Sequence, residues 1–227
     1  MMRHKTSWLV AAATFLLVMT AGWSVSNSGF SLQGLRTAAA QTTASVEGFR
    51  SARFGMTEKK VYNALKKDFG IPKGEVTRTQ NAIEKTISLI ITNDDIIPDS
   101  GRAVIAYIFG YESKKLIQIN VIWSIDDSKL ASAENLLATG NILRNYFVAQ
   151  GFPQEGLLTN QRLNDGSIVM FRGLDSKGRA TVLQLNIEQG VVSEGGTASD
   201  AKITSLNLSY ILDPVAPDIF KINAGEF

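Results

Sequence analysis

The sequence predicts an α+β fold in which two helix-and-sheet units lie in tandem and form one sheet, with both helices on one face. Apolar residues recur at helical spacing in two segments, and each is followed by segments of period two, in the order helix, three strands, helix, three strands. Glycine and proline close both helices, at Gly70 and Pro72 and again at Gly151 and Pro153. Antiparallel pairing is expected because one strand pair is joined by a hairpin-length connection.

The first helix is predicted over residues 58–69, where Val61 and Leu65 recur at a spacing of four. Thr57 precedes it as an N-cap, whose hydroxyl can accept hydrogen bonds from the first-turn amides. Residues 49–54, which come before this cap, are predicted as a short first strand.

Three strands are predicted after this helix, over 84–92, 102–110 and 115–125. The last two form a hairpin through Tyr111–Lys114. The side of the third strand that carries Ile117, Ile119, Val121, Trp123 and Ile125 is apolar, so this side is expected to lie under the helices, in the core.

The second helix is predicted to begin after Asp126, Asp127 and Ser128, which are its N-cap candidates, and to end near Gln150. Its expected buried stripe consists of Ala133, Leu136, Leu137, Gly140, Leu143 and Phe147. The three strands predicted after it cover residues 167–171, 179–188 and 202–212.

A weak internal repeat supports the two units. Phe109–Lys114 followed by Gln118–Asn120 is similar to Phe171–Lys177 followed by Gln184–Asn186. We interpret the similarity as a tandem duplication, with a coincidence of hairpin turn chemistry as the alternative.

The resulting division of the chain has four parts. They are a signal peptide (1–40), a first unit (41–125), a second unit (126–213) and a C-terminal tail (214–227).

The first 40 residues have the layout of a secretory signal. Arg3 and Lys5 precede an apolar run over 8–23, and Ala38–Ala40 supply the small residues of a cleavage site. We therefore expect cleavage near Ala40 and a periplasmic or secreted protein. A retained N-terminal anchor, which would place the protein at a membrane, is the alternative.

Charge and composition limit the chemistry of the chain. Residues 1–40 hold three of the 23 basic residues and none of the 21 acidic ones, so 20 basic and 21 acidic residues follow. No stretch concentrates lysine and arginine, so nucleic-acid binding is not expected.

The chain has no cysteine and its one histidine is His4, which excludes thiolate sites and histidine triads once the signal is removed. The prediction is a protein without enzymatic activity, cofactor or metal. A carboxylate-dependent hydrolase is an alternative, with Glu84, Glu112, Glu134 and Glu188 available, although the sequence places no two of them together.

Strand alternation predicts a polar, nearly uncharged sheet face opposite the helices. Its candidate partner-binding residues are Gln118, Asn120, Gln184, Asn186 and Asn207. Amides and hydroxyls can bind an envelope protein without the desolvation cost of buried ions. The alternative for these residues is an ordinary solvated sheet face.

A second functional hypothesis is a carrier of a small apolar ligand held between helices and sheet. It predicts a cavity behind Trp123 and Leu143 instead of a filled core.

The segment Phe54–Val61, followed by Leu65 and Gly70–Pro72, resembles the opening of the BamE (SmpA/OmlA) family of bacterial outer-membrane assembly proteins. That family's lipid-bearing cysteine has no counterpart here. Two such units in tandem are similar to the architecture of the β-lactamase inhibitor protein, which grips an enzyme with its sheet. The resemblance implies a binding or envelope-assembly role.

Two other motifs have residue types found in chemical sites. Asp94, Asp95 and Asp99 lie close enough in sequence to bind calcium, but their spacing fits no EF-hand and a solvated turn is the favoured interpretation. Ser199–Lys202 matches Ser-x-x-Lys, but the partner motifs of penicillin-binding enzymes are missing from the chain.

Overall fold

The computed structural model describes residues 43–94, 96–125, 132–188, 200–222 and 225. The helices are α1 (Glu58–Phe69) and α2 (Ala133–Val148). The strands are β1 (Gly48–Phe49), β2 (Ala52–Arg53), β3 (Thr77–Gln80), β4 (Ile87–Asn93), β5 (Ala103–Phe109), β6 (Leu116–Ser124), β7 (Leu158–Arg162), β8 (Ile168–Leu174), β9 (Ala180–Glu188) and β10 (Lys202–Ile211).

Eight strands form one antiparallel sheet in the order β3-β4-β5-β6-β10-β9-β8-β7, and β1 pairs with β2 in a separate hairpin. The predicted α+β class is confirmed, but each helix is followed by four strands and not three. The two strands that the sequence missed, β3 and β7, are the edges of the sheet and are mostly exposed. An exposed edge strand lacks the apolar alternation from which strands are predicted.

The two units meet along their last strands. Strand β6 pairs with β10, with Val121 opposite Leu208. Helix α2 packs on β8, β9 and β10, and α1 is joined to β3 by the ion pair between Glu58 and Arg78.

The sequence repeat does not mark equivalent parts of the two units. Phe109–Lys114 lies between the third and fourth strands after α1, whereas Phe171–Lys177 lies between the second and third strands after α2. The acceptor of the turn amides also differs, because it is Asp218 of the C-terminal segment in the first turn and Asp175 of the turn itself in the second. The repeat therefore does not align the two units strand for strand, and the duplication stays a prediction.

Helix α1 ends as predicted. Gly70 has φ 69°, in the left-handed region, and its amide donates to the Lys66 carbonyl at 3.0 Å. Thr57 occupies the N-cap position, but its hydroxyl makes no capping hydrogen bond, contrary to expectation.

Helix α2 begins later than predicted. Its N-cap is Ser132, whose hydroxyl accepts from the Asn135 amide at 3.1 Å. The predicted caps, Asp126, Asp127 and Ser128, lie outside the described residues.

The buried side of α2 includes Leu136, Gly140 and Phe147, as predicted, while Ala133 and Leu137 are exposed, against the prediction. Gly140 packs closely on the sheet. A Cβ there would lie 2.6 Å from Met170 Sδ and 3.2 Å from Leu206 Cδ1. A larger residue would therefore force the Met170 side chain to move.

We call the side of the sheet that carries the helices the helix face, and the opposite side the outer face. The main core fills the helix face. A second apolar cluster lies on the outer face and consists of Ile90, Ala106, Ile108 and Ile117, with Val104 and Leu212 packed against it. The outer face is thus apolar on the β4–β5–β6 side and not polar throughout, as the alternation predicted.

Ile117 was expected under the helices and lies instead in the outer cluster. The pairing of β5 with β6 shifts here, because Ile108 opposes Gln118 whereas Phe109 opposes Leu116. Ile117 is the extra residue of this bulge, which reverses the alternation locally.

Residues 44–53, which we call the strap, precede α1 and belong to the core. Ala44, Val46 and Ala52 are buried. The predicted strand over 49–54 is instead the β1–β2 hairpin, which turns where Arg50 adopts φ 51°.

Neither of the two described helices has the length and apolar character that a bilayer crossing requires.

Candidate functional site

A cavity of about 530 Å³ lies between the middle of the sheet, α2 and the strap. Its lining includes both Trp123 and Leu143, the residues behind which the carrier hypothesis placed a cavity. The residues contributed by the sheet are Trp123, Thr181, Leu208 and Tyr210, and those contributed by α2 are Leu143, Tyr146 and Phe147.

Strand alternation on β10 and helical spacing on α2 explain why these side chains lie on the cavity side of their elements. Leu208 and Tyr210 alternate to the helix face of β10, and Leu143 and Phe147 are four residues apart on α2. Ring contacts fix the aromatic wall. The Phe147 ring lies 5.4 Å from Phe171 and 6.3 Å from Tyr210, between ring centroids.

The strap lines one side of the cavity, and its first half is bound to the β8–β9 turn. The Val46 amide donates to Asp175 Oδ2 at 2.9 Å. The Arg179 side chain, which is 8% exposed, lies between two carboxylates. It donates to Asp175 at 2.7 Å and to Glu47 of the strap at 2.8 Å. The hydrogen bond from Arg179, together with one from Ser45, lowers the pKa of Glu47 to about 2.

The second half of the strap is bound to α1. The Ser51 amide donates to Asp68 Oδ2 at 2.8 Å, and Arg50 Nη1 donates to the Asp68 carbonyl at 3.3 Å. The Arg50 guanidinium also lies 4.6 Å from the centre of the Phe69 ring. The strap thus links the second unit to the first across the cavity.

Arg50 and Arg53 are the basic residues that line the cavity. Arg53 Nη1 donates to the backbone carbonyls of Arg50 and Ala52. Within the described ranges, neither guanidinium forms an ion pair with a carboxylate. The third charged lining residue, Glu47, is already paired with Arg179 and Lys177.

Trp123 is anchored at the floor of the cavity. Its indole Nε1 donates to Ser100 Oγ at 3.1 Å, and that hydroxyl donates to the Ile97 carbonyl at 2.7 Å. Ile97 is itself a lining residue. Burial, with a smaller contribution from Tyr146, raises the pKa of Tyr210 well above its usual range, so its hydroxyl remains protonated.

The structure places all five predicted partner-binding residues on the outer face, on three adjacent strands. Gln118 and Asn120 lie on β6, Gln184 and Asn186 on β9, and Asn207 on β10 between them. Gln118 Nε2 donates to Asn120 Oδ1 at 2.9 Å, and Gln184 Nε2 donates to Asn186 Oδ1 at the same distance. The two strands therefore carry matched amide pairs.

These amides are less accessible than the sequence suggested. Gln118, Asn120 and Gln184 are only 4%, 2% and 3% exposed, while Asn186 and Asn207 are half-buried. Asn186 Nδ2 also donates to Ser205 Oγ at 2.7 Å. Asn207 Oδ1 is buried without a hydrogen-bond donor in the described part of the chain.

The acidic loop offers no metal site in the residues described. Asp94 is bound by Arg102 at 2.6 and 3.1 Å, and Asp95 lies outside the described residues. The described ranges contain no group of three potential ligands among histidine, cysteine, aspartate and glutamate. Ser199, from the Ser-x-x-Lys motif, also lies outside them.

Sequence reasoning found Trp123 and Leu143 but missed the strap. Phe49 and Val46, two apolar residues in an otherwise small and polar segment, were the available signal. They gave no indication that this segment returns to the second unit, because the contacts with Asp175 and Arg179 span more than half of the chain.

Comparison of the chain with protein-family models, with curated proteins and with solved structures finds no match.

Proposed function

We propose that the chain is an exported, non-enzymatic binding protein whose site is the cavity between the sheet, α2 and the strap. The observation that carries the proposal is a partly open cavity of about 530 Å³, whose lining combines aromatic and aliphatic side chains with polar and charged ones. Small-molecule sites are typically clefts of about 300–1,000 Å³ lined by apolar side chains and a few polar groups. A small, largely apolar ligand fits this description.

The walls of the cavity, which is partly open to solvent, are held in place before any ligand binds. Ring contacts of Phe147 fix one wall, and the ion pairs of Arg179 fix the strap. A cleft with preformed walls favours binding of a small molecule, because little of the protein has to be ordered when the ligand enters.

Export is part of the same proposal. Cleavage near Ala40 would leave the whole strap in the mature chain, including Ser45 and Glu47, which bind Arg179. A carrier in the periplasm or outside the cell is consistent with the signal layout of residues 1–40.

The mature chain contains its own reporter of binding. Trp8 and Trp23 lie in the signal segment, so Trp123 is the one tryptophan left after cleavage, and it lines the cavity. Titration with the neutral dye N-phenyl-1-naphthylamine should quench Trp123 emission saturably and increase the emission of the dye.

A matched pair of variants on α2 locates the binding. Leu143→Glu places a carboxylate in the cavity wall and should weaken dye binding at least about tenfold, because the bound dye would leave that charge poorly solvated. Leu137→Glu, on the same helix but at a residue 42% exposed and outside the lining, should leave binding unchanged. Absence of quenching, or equal affinity in both variants, would contradict the proposal.

A second candidate function is recognition of an envelope protein by the outer face. The observation that favours it is Asn207 Oδ1, a buried acceptor without a donor among the described residues, since such groups are costly unless a partner satisfies them. The half-buried residues beside it are Asn186, Ser205 and Ser209. An assembly role of the BamE type belongs to this candidate.

The second candidate is tested by capture from an envelope extract of the source. Asn207→Lys should abolish retention of a specific envelope protein, and Gln161→Lys, on the exposed edge strand β7, should not. Equal retention by both variants would remove the outer face from consideration.

A further inference from the structure

We infer that the ligand of the cavity is an amphiphile with one apolar chain and one anionic head group, and that Arg50 and Arg53 bind the head group. This inference rests on the proposed function and adds the chemical class of the ligand to it. It is carried by the distribution of charge around the cavity.

The charges that line the cavity do not cancel. Glu47 is bound by Arg179 at 2.8 Å and lies 3.7 Å from Lys177, so its charge is compensated from outside the lining. Arg50 and Arg53 have no ion-pair partner among the carboxylates of the described residues. Among the described residues, the two guanidinium groups outnumber the one carboxylate bound at this end of the strap, that of Asp68 on the Ser51 amide. The strap side of the cavity therefore has a net positive charge and is suited to an anion.

The guanidinium groups retain donors for a ligand. Each guanidinium has five N–H donors in a planar fork. Within the described chain, Arg50 uses Nη1 for the Asp68 carbonyl, and Arg53 uses Nη1 for two backbone carbonyls. The remaining donors match the geometry of a carboxylate or phosphate, which arginine commonly binds through two parallel hydrogen bonds.

The remainder of the lining suits a hydrocarbon chain. Leu143 and Phe147 from α2, Leu208 from β10 and Phe152 from the loop after α2 are the apolar walls. A molecule with a charged end at the strap and an apolar end against these walls would satisfy both parts of the cavity. A wholly neutral ligand would leave the two arginines unused.

Both arginines also make contacts that stabilise the fold, so the test must separate binding from stability. Arg50 lies at the C-terminal end of α1, where a cation is favourable, and over the ring of Phe69. Two double variants remove the planar guanidinium groups. Arg50→Lys/Arg53→Lys keeps the positive charges, and Arg50→Gln/Arg53→Gln removes them. Arg162→Gln, an exposed arginine on the edge strand β7, is the matched control.

The experiment is displacement of N-phenyl-1-naphthylamine from the mature protein by three ligands with the same chain, namely decanoate, 1-decanol and decyltrimethylammonium. We expect decanoate to bind at least about tenfold more tightly than 1-decanol, and decyltrimethylammonium to bind most weakly. The preference for decanoate should disappear in the glutamine double variant, persist in part in the lysine double variant, and remain unchanged in Arg162→Gln. Thermal unfolding of each variant identifies any general loss of fold.

The possible failures are distinguishable. If the dye binds and 1-decanol displaces it as well as decanoate does, the anionic head group is wrong while the proposed function stands. The same conclusion follows if the glutamine double variant is folded and keeps the preference for decanoate. If neither the dye nor any of the three chains binds the folded wild-type protein, the proposed function itself fails, and the inference fails with it.

Discussion

Arg179 and Glu47 are 132 residues apart in sequence, yet Arg179 Nη2 lies 2.8 Å from Glu47 Oε1. This contact joins the strap to the turn between β8 and β9, so the first described residues are bound by the second unit before the chain enters the first. The position of the strap, and with it one wall of the cavity, depends on this ion cluster.

Removal of the Asp175 carboxylate should release the strap. Asp175 is buried, and it accepts hydrogen bonds from the Val46 amide and from Arg179. The variant Asp175→Ala leaves Arg179 buried with Glu47 as its one ion-pair partner in the described chain and the Ser45 hydroxyl as a hydrogen-bond partner. We expect a loss of about 3 kcal/mol in the free energy of unfolding. Urea unfolding followed by Trp123 emission measures the loss. Asp165→Ala, in the exposed turn between β7 and β8, should change stability much less.

Acid should weaken two attachments, that of the strap through Glu47 and Asp175 and that of the C-terminal segment through Asp218. Arg179 lowers the pKa of Glu47 to about 2. Burial raises the pKa values of Asp175 and Asp218, but hydrogen bonds from backbone amides and from Arg179 or Ser113 outweigh it, and both values end below normal. A carboxyl whose pKa is lowered on folding stabilises the fold above its unfolded-state pKa, and the benefit is lost as the pH falls through the folded-state value.

The free energy of unfolding should therefore change little between pH 7 and about pH 5 and fall between about pH 4.5 and pH 2. Urea titrations at pH 7, 5, 4 and 3 test this expectation. The double variant Asp175→Asn/Asp218→Asn should be less stable at pH 7 and lose less on acidification. An equally steep loss in that variant would mean that other groups control the acid transition.

Asp218 should hold the C-terminal segment to the first unit. Its carboxylate accepts from the amides of Glu112 at 2.8 Å and Ser113 at 3.0 Å. In Asp218→Ala these amides lose their acceptors, so we expect faster hydrogen exchange at both amides and a loss of about 1–3 kcal/mol. Asp213→Ala removes only contacts within the tail, to Val215 and Ala216, and serves as the control. Unchanged exchange in Asp218→Ala would show that the tail is held by other contacts.

The hydrogen bond between Trp123 and Ser100 should stabilise the floor of the cavity. Both residues are buried, and Ser100→Ala leaves the indole N–H without its acceptor. We expect a loss of about 1–3 kcal/mol in the free energy of unfolding, together with a shift in Trp123 emission in the folded state. Ser209→Ala, a half-buried serine on the outer face, is the control and should leave the emission unchanged.

Local signals were sufficient for the helices and for most of the sheet. Val61, Leu65 and Gly70 define α1 by periodicity and by its C-terminal glycine, and both features are found as expected. The edge strands β3 and β7 were not predicted, because Thr77–Gln80 and Leu158–Arg162 are polar and exposed. They form strands because β4 and β8 supply the hydrogen bonds.

The two faces of the sheet were harder to predict. Strand β5 is apolar on both sides, since Val104, Ala106 and Ile108 face outward while Ile105 and Tyr107 face the core. Such a run lacks the alternation that distinguishes a buried face from a solvated one. The burial of Gln118 and Gln184 likewise depends on neighbouring strands and cannot be read from the residues themselves.

The cavity was predicted only as one of two hypotheses, and its arginines were not predicted. Trp123 and Leu143 are apolar residues on elements whose faces the periodicity defines. Arg50 and Arg53 reach the cavity because the strap folds back over the sheet, which depends on contacts with Asp68 and Asp175. No local pattern encodes contacts of this length.

The position of β10 has a consequence for how the chain folds. This strand is the last of the described strands and lies in the middle of the sheet, where it pairs Ser205 with Ser124, 81 positions earlier. Its pairing with β9 is local in sequence, so the pairing with β6 is the step that joins the two halves of the sheet, and without β10 the halves end in two exposed edges, β6 and β9. Because closing a loop of this length opposes nucleation, the docking of β10 should be a late and slow step, and a chain that ends before Lys202 should self-associate through those edges.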